Sequence, residues 1–331
     1  MAFIKRVLPG TARGRLHLGA LICVAAFLAV FPGVSRPYTT IFTASILMYI
    51  ILSLSWTFFS GKTGYISLAT AAFYGIGMYI EAILGRYIPL PAAMLVAAAA
   101  GFLIAAGIGA ITLRLRGVYF TIFTFGLVLL LQNLVLWIEI RFFHTKGRIV
   151  TSGDFTFVYY CILAVFVILL IAAVIMRRSR FGLALECIGQ NEDSAAHIGV
   201  DTTRTKILAF AVSAAPVSAV GAAMATRVGY IDPNIAFNLL MSFMPVLMAI
   251  FGGTHSLYGP VFGALVLTLL EEKLIRGYQE YYMIIFGAVM IIAVSFMPKG
   301  AAGIAESVFL KLRRRLRPRS HPRNDGGARD E

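Results

Sequence analysis

Apolar runs close to 20 residues long recur along almost the whole chain, at 16–31, 41–59, 65–84, 92–112, 118–138, 157–176, 207–225, 237–251, 258–270 and 281–296. A helix rising about 1.5 Å per residue needs a run of that length to cross a hydrocarbon core about 30 Å thick. The spacing therefore predicts an all-α fold, a polytopic transmembrane helical bundle of roughly ten spans. Two runs, 237–251 and 258–270, are short and separated by Gly252 and Gly253, so each reads as a half-helix, a re-entrant piece or a full crossing. Of the 331 residues 59% are hydrophobic and only 13% charged, and no interval between runs is large enough for a separate soluble domain.

The net charge of +14 raises the question of nucleic acid, and its placement answers it. Lys5, Arg6, Arg13 and Arg15 precede the first run, and Lys299, Lys311, Arg313, Arg314, Arg315, Arg317, Arg319, Arg323 and Arg329 follow the last. Both ends read as cytoplasmic by the positive-inside rule, with no nucleic-acid role. The domain reading is a basic cytoplasmic N-terminus at 1–15 and a transmembrane domain at 16–298 holding a cytoplasmic segment at 177–206. A basic tail at 299–331, disordered at its end, would lie near anionic lipid head groups. Arg114, Arg116, Arg177, Arg178 and Arg180 agree with an even number of crossings before and after the segment. The 141–154 loop, assigned outside, conflicts with the rule through Arg141, Lys146 and Arg148.

Cys23, Cys161 and Cys187 have no metal-site spacing and read as small apolar fillers. The run 16–31 lacks a small-residue cleavage site after it and reads as an uncleaved first helix. Gly and Ala crowd several runs (97–101, Gly107, Gly109, Gly75, Gly77, Gly259, Gly263), which lets helix backbones approach in lipid.

The longest polar interval inside the chain runs from Ser179 to Val200. Phe181, Leu185 and Ile188 recur at helical spacing beside Glu186, Asn191 precedes a second short turn, Gly199 supplies a stop, and Asp201 caps the next span. Such a stripe belongs either to an amphipathic loop on the membrane surface or to a docking helix seated in a partner's groove.

The residues themselves choose. Phe181-Gly-x-Ala-x-x-x-Ile-Gly-x-Asn-Glu-x-Ala-Ala-x-x-x-Gly, with Ser194 between Asp193 and Ala195, resembles the coupling segment of the LivM-type branched-chain amino acid permease family. Three further stretches resemble that family in order: Ser60-Gly-Lys-Thr-Gly-Tyr-Ile-Ser-Leu-Ala-Thr-Ala-Ala-Phe-Tyr-Gly-Ile-Gly-Met-Tyr, Leu113-Arg-Leu-Arg-Gly-Val-Tyr-Phe with Thr124-Phe-Gly, and Phe251-Gly-Gly-Thr-His-Ser-Leu-Tyr-Gly-Pro-Val-Phe-Gly-Ala. The chain departs from the pattern at Ala69 and Thr70, where Gly-His is usual, at His255, where Gly is usual, and at Gln132–Asn133, where an acidic residue is often seen.

The resemblance implies the permease subunit of an ATP-binding-cassette importer in a bacterial inner membrane. A second homologous permease, two cytoplasmic ATPases and a periplasmic substrate-binding protein would be its partners. Its cargo would be branched-chain or related amino acids, with urea, an amide or an aromatic acid as the alternative. No Gly-x-x-x-x-Gly-Lys-Ser/Thr loop is present, so the chain is expected to be no enzyme and to bind no cofactor, ATP and Mg being used by the partner ATPases. The ATPase-coupling residues implied are Phe181, Gly182, Ala184, Glu186, Ile188, Asn191, Asp193, Ala196 and Gly199. Polar side chains in apolar spans need a bundle interior or a water-filled path, which nominates Ser67, Thr70, Tyr74, Thr121, Thr124, Gln132, Asn133, Asn238 and Ser242. Each could instead bond locally to its own helix. Glu81, near the end of a run, reads as reaching outward or pairing with Arg86. An ion-coupled secondary transporter is the nearest rival, and its carboxylates would be Glu81, Glu139, Glu271 and Glu272, all near span ends. An intramembrane enzyme finds no His-Glu-x-x-His or Gly-x-Ser-x-Gly motif.

Overall fold

The computed structural model describes residues 27–33, 36–151, 153–254, 256, 258–278, 281, 284–288 and 291. The basic ends at 1–15 and 299–331, most of the runs 16–31 and 281–296, and His255 lie outside the described residues.

Among the described residues from Pro37 to Gly277, eleven helices can be named in chain order. They are α1 (Pro37–Thr63), α2 (Thr70–Leu84), α3 (Leu90–Thr112), α4 (Val118–Ile138), α5 (Phe155–Arg178), α6 (Arg180–Gln190), α7 (Glu192–His197), α8 (Thr202–Val228), α9 (Pro233–Ala236), α10 (Leu240–Gly252) and α11 (Gly259–Gly277). A π-helical turn, Glu139–Phe143, continues α4. A two-stranded antiparallel ribbon pairs β1 (Arg148–Ile149) with β2 (Tyr230–Ile231) in the register Arg148↔Ile231. Among the described residues six segments are long and apolar enough to cross a membrane: α1, α3, α4 with its π turn, α5, α8, and α9 with α10 taken together.

Three runs fold differently from their sequence boundaries. Run 65–84 becomes helical only at Thr70, because Gly64 takes a left-handed φ of 75° and the chain stays non-helical to Ala69. Backbone freed by that break is satisfied from other helices: the Leu68 N–H donates to Thr124 Oγ1 at 3.0 Å and the Ala71 N–H to Ser242 Oγ at 3.1 Å. Run 237–251 is divided, since Asn238 Oδ1 accepts from the Leu240 N–H at 2.9 Å and starts α10 afresh after α9. Run 258–270 continues to Gly277, so α11 is a 19-residue helix rather than a half-helix.

Helix α8 is the centre of the packing, with α2 and α3 against one side and α1, α5 and α6 around the rest. Small residues make this possible. A Cβ on Gly77 would fall 1.9 Å from the Ser218 carbonyl oxygen, and one on Gly221 would fall 2.2 Å from that of Tyr74, so α2 and α8 touch backbone to backbone at both points. An aromatic cluster of Phe59, Tyr65, Phe73, Phe120 and Phe210 fills the space where α1, α2, α4 and α8 meet. By contrast α4 leaves Tyr119, Ile122, Leu130, Leu134 and Trp137 exposed.

Candidate coupling site

The polar interval folds as two helices joined at Asn191. Ser179 Oγ accepts from the Gly182 N–H at 3.0 Å to start α6, and Asn191 Oδ1 accepts from the Ser194 N–H at 2.8 Å to start α7. Gly199, at φ 88°, ends the pair, and Asp201 caps α8 through the Arg204 N–H. The apolar stripe of α6 faces the chain's own bundle: Leu185 and Ile188 are buried, with Phe181 partly buried against the core. At Gly189 the helix comes so close to the end of α1 that a Cβ would lie 2.1 Å from the Lys62 carbonyl oxygen.

Three ion pairs then fix the segment, each from a different part of the chain. Lys62, in the last turn of α1, pairs with Glu186. Arg116, between α3 and α4, pairs with Asp193 at 3.1 Å. Lys206, in the first turns of α8, is buried and pairs with Glu192, which also accepts from the Tyr65 hydroxyl. The Lys206 ammonium has further partners, since Nζ donates to the Leu113 carbonyl at 3.3 Å and to the Tyr65 hydroxyl at 3.4 Å and lies 4.8 Å from the centre of the Tyr65 ring. Three of the four motifs read from the sequence thus meet at one end of the bundle through Lys62 and Tyr65, Leu113 and Arg116, and Glu186, Glu192 and Asp193.

The electrostatics match the geometry. The hydrogen bond from Lys62 holds the Glu186 carboxyl below its ordinary range. At Glu192 burial acts in the opposite direction, and the hydrogen bonds from Lys206 and Tyr65 outweigh it, so this carboxyl too is lowered.

The expected coupling residues divide between two faces. Glu186, Asn191, Asp193, Ala196 and Gly199 are exposed, while Ala184 and Phe181 are intermediate. Gly182 and Ile188 are buried, on a face turned against α1, α5 and α8 rather than outward. A Cβ on Gly182 would fall 2.0 Å from the Met176 carbonyl oxygen, so this glycine serves the tight turn out of α5. The large apolar side chains that do face outward are Leu183 and Ile198. Sequence reasoning missed these two, and also Lys62, Tyr65, Arg116, Glu192 and Lys206. Its position, directly before the apolar run that starts at Ile207, was the available signal for the last.

The path candidates also divide. Ser67, Thr70, Tyr74, Thr124 and Ser242 are buried inside the chain. Ser67 and Thr70 line a cavity of about 20 Å³, room for one water and no larger solute. Thr124 and Ser242 are occupied with the backbone of the break before α2, and Thr121 donates to the Ile66 carbonyl at 2.9 Å in the same place. Gln132, Asn133 and Asn238 lie on the uncovered side. Gln132 Nε2 donates to Asn234 Oδ1 at 2.9 Å, Asn133 donates to the Leu129 carbonyl of its own helix, and Asn238 is exposed.

Over residues 19–294 the chain matches the family described as branched-chain amino acid transport system / permease component. It belongs to that family. The high-affinity branched-chain amino acid transport system permease protein LivM of Salmonella typhimurium is 30% identical to it, over 90% of this chain and 77% of that protein. LivM of Escherichia coli is 29% identical over the same shares. The high-affinity branched-chain amino acid transport system permease protein LivH of E. coli is 25% identical over 78% of this chain and 92% of its own length. No solved structure matches the chain. A branched-chain amino acid permease component with six membrane-length apolar helices among its described residues is a multi-pass membrane protein.

Proposed function

We propose that this chain is one permease half of an ATP-binding-cassette importer for branched-chain amino acids, and that α6 and α7 are the surface on which a cytoplasmic ATPase acts. The observation carrying this reading is the three-point attachment of α6–α7: the end of α1, the α3–α4 connection and the start of α8 are all tied to one exposed polar segment. Displacing that segment displaces three spans at once. ATP and Mg are used by the ATPases and the cargo is moved unchanged, so the chain acts as a transport component.

The remaining arrangement follows from the same end. The loop between α3 and α4 and the segment between α5 and α8 lie on one side, so α1–α5, α8, α9 with α10 as one segment, and α11 alternate in direction. With the runs 16–31 and 281–296 this amounts to ten crossings, both termini in the cytoplasm and a bacterial inner membrane. On the uncovered side, Gln132, Asn133, Asn234 and Asn238 put amides on a face that lipid would not solvate. That face suits the second, homologous permease, with the translocation path between the two halves and a periplasmic binding protein delivering cargo to its mouth. Ala69 and Thr70, which depart from the family pattern, are buried. Their change alters no exposed surface, and it is the family match that favours branched-chain cargo over urea, amides or aromatic acids.

The test is reconstitution with the ATPases and the substrate-binding protein of the source organism's importer. ATP-dependent uptake of leucine, isoleucine or valine into vesicles is the expected result. Accumulation by this chain alone on a proton or sodium gradient would instead establish a secondary transporter.

A further inference from the structure

At the end of α2 remote from the coupling segment, Glu81 occupies a position that the function above does not use. It neither reaches outward nor pairs with Arg86: its residue is only 5% exposed, and Oε2 is buried with no hydrogen-bond partner among the described residues. A carboxylate withdrawn from water and left unpaired is costly, so such a group calls for a counter-charge. Glu81 lines a cavity of about 370 Å³, within the size range of small-molecule sites, together with Arg86, Tyr87, Arg148 and Thr151. Arg148 is engaged by Glu139 at 3.6 Å, whereas Arg86 is exposed and forms no ion pair among the described residues. Gly85 makes room for the carboxylate, since a Cβ there would fall 2.3 Å from Glu81 Oε1.

We propose that this cavity binds a primary ammonium group with an acidic group beside it, Glu81 receiving the ammonium and Arg86 the anion. Two molecules carry that chemistry at a membrane surface: a zwitterionic α-amino acid on its way to the path, and the head group of an ethanolamine phospholipid. The amino-acid form rests on the importer reading above; the ammonium site itself does not.

The assembled transporter is placed in nanodiscs of phosphatidylcholine and phosphatidylglycerol, which carry no primary amine, and probed by saturation-transfer NMR. Leucine and isopentylamine are expected to bind and 4-methylpentanoate to bind far less. Glu81→Gln removes the charge, and Gly85→Ala displaces the carboxylate while keeping it. Each is expected to weaken leucine and isopentylamine at least about tenfold, the scale of one lost charge-assisted hydrogen bond. Arg86→Gln is expected to weaken leucine and spare isopentylamine. Protection of wild-type Glu81 from carbodiimide by isopentylamine gives the same answer with no variant. If the amino acid fails to bind but ethanolamine lipid is retained by the wild type and lost from Glu81→Gln, the site stands with lipid as its occupant. Equal binding of all probes to wild type and folded variants, with no carbodiimide protection, would overturn it. Normal ATP-driven uptake alongside that result would leave the importer reading intact. Failure of the wild type to support any ATP-driven uptake would remove the importer reading whatever Glu81 binds.

Discussion

The two ends of this bundle handle charge in opposite ways. At the coupling end every acidic side chain of α6 and α7 has a basic partner on another element, and the most buried cation, Lys206, has a carboxylate, a hydroxyl, a carbonyl and an aromatic ring around it. At the far end Glu139 meets Arg148 only at 3.6 Å, with one oxygen lacking a hydrogen bond, and Glu81 has no charged partner among the described residues. On the function proposed above, a surface that transmits displacement gains from having its charges fixed within the chain. A surface built to receive something keeps charges available for it.

Substitutions at either end test this contrast. The largest effect is expected from Lys206→Met, which strands Glu192 without its buried partner and should cost about 3–5 kcal/mol of docking. Faster hydrogen exchange across 180–199 and ATP hydrolysis no longer tied to uptake would report it. Gly189→Ala forces a methyl against the Lys62 carbonyl and should cost about 1–3 kcal/mol, seen as a lowered unfolding temperature and reduced coupling. At the far end Arg148→Gln should cost a similar or smaller amount, because Glu139 keeps the Gly147 N–H at 3.0 Å; here thermal stability should fall while coupling per delivered solute is unchanged. Glu186→Arg removes a half-exposed pair worth about 0.2–1 kcal/mol and adds repulsion with Lys62, so a modest loss of coupled uptake with normal membrane insertion is expected. The smallest effect is that of pH in the neutral range. Glu186 and Glu192 are both lowered, so their stabilisation is fully present above the ordinary carboxylate value of about 4.3 and is lost only as pH falls through their depressed values. Exchange protection of α6–α7 should therefore be flat from pH 8 to pH 5 and fall below about pH 4.

Much of this organisation was legible in the sequence because it depends on local pattern. Run length and hydropathy located the long helices, and the 3.6-residue spacing of Leu185 and Ile188 marked α6. The direction in which that stripe points was not legible. An amphipathic stripe says that a face is buried, and whether a partner or the chain itself buries it depends on contacts with α1, α5 and α8. The same limit explains the path candidates. Thr124 and Ser242 are polar inside apolar spans because they solvate the broken backbone before α2, a tertiary need that composition does not reveal. The start of α2 at Thr70 was hidden too, since residues 64–69 are apolar enough to pass for helix.

Gly189 gives the coupling end a mechanical character. Where two helices meet through side chains, a small movement of one is absorbed by rotamer changes, and the first fraction of an ångström is lost. Here α6 bears on the carbonyl end of α1 with no side chain between them. Peptide planes cannot rotate aside in that way, so the contact is stiff, and a push on α6 reaches α1 with almost no play.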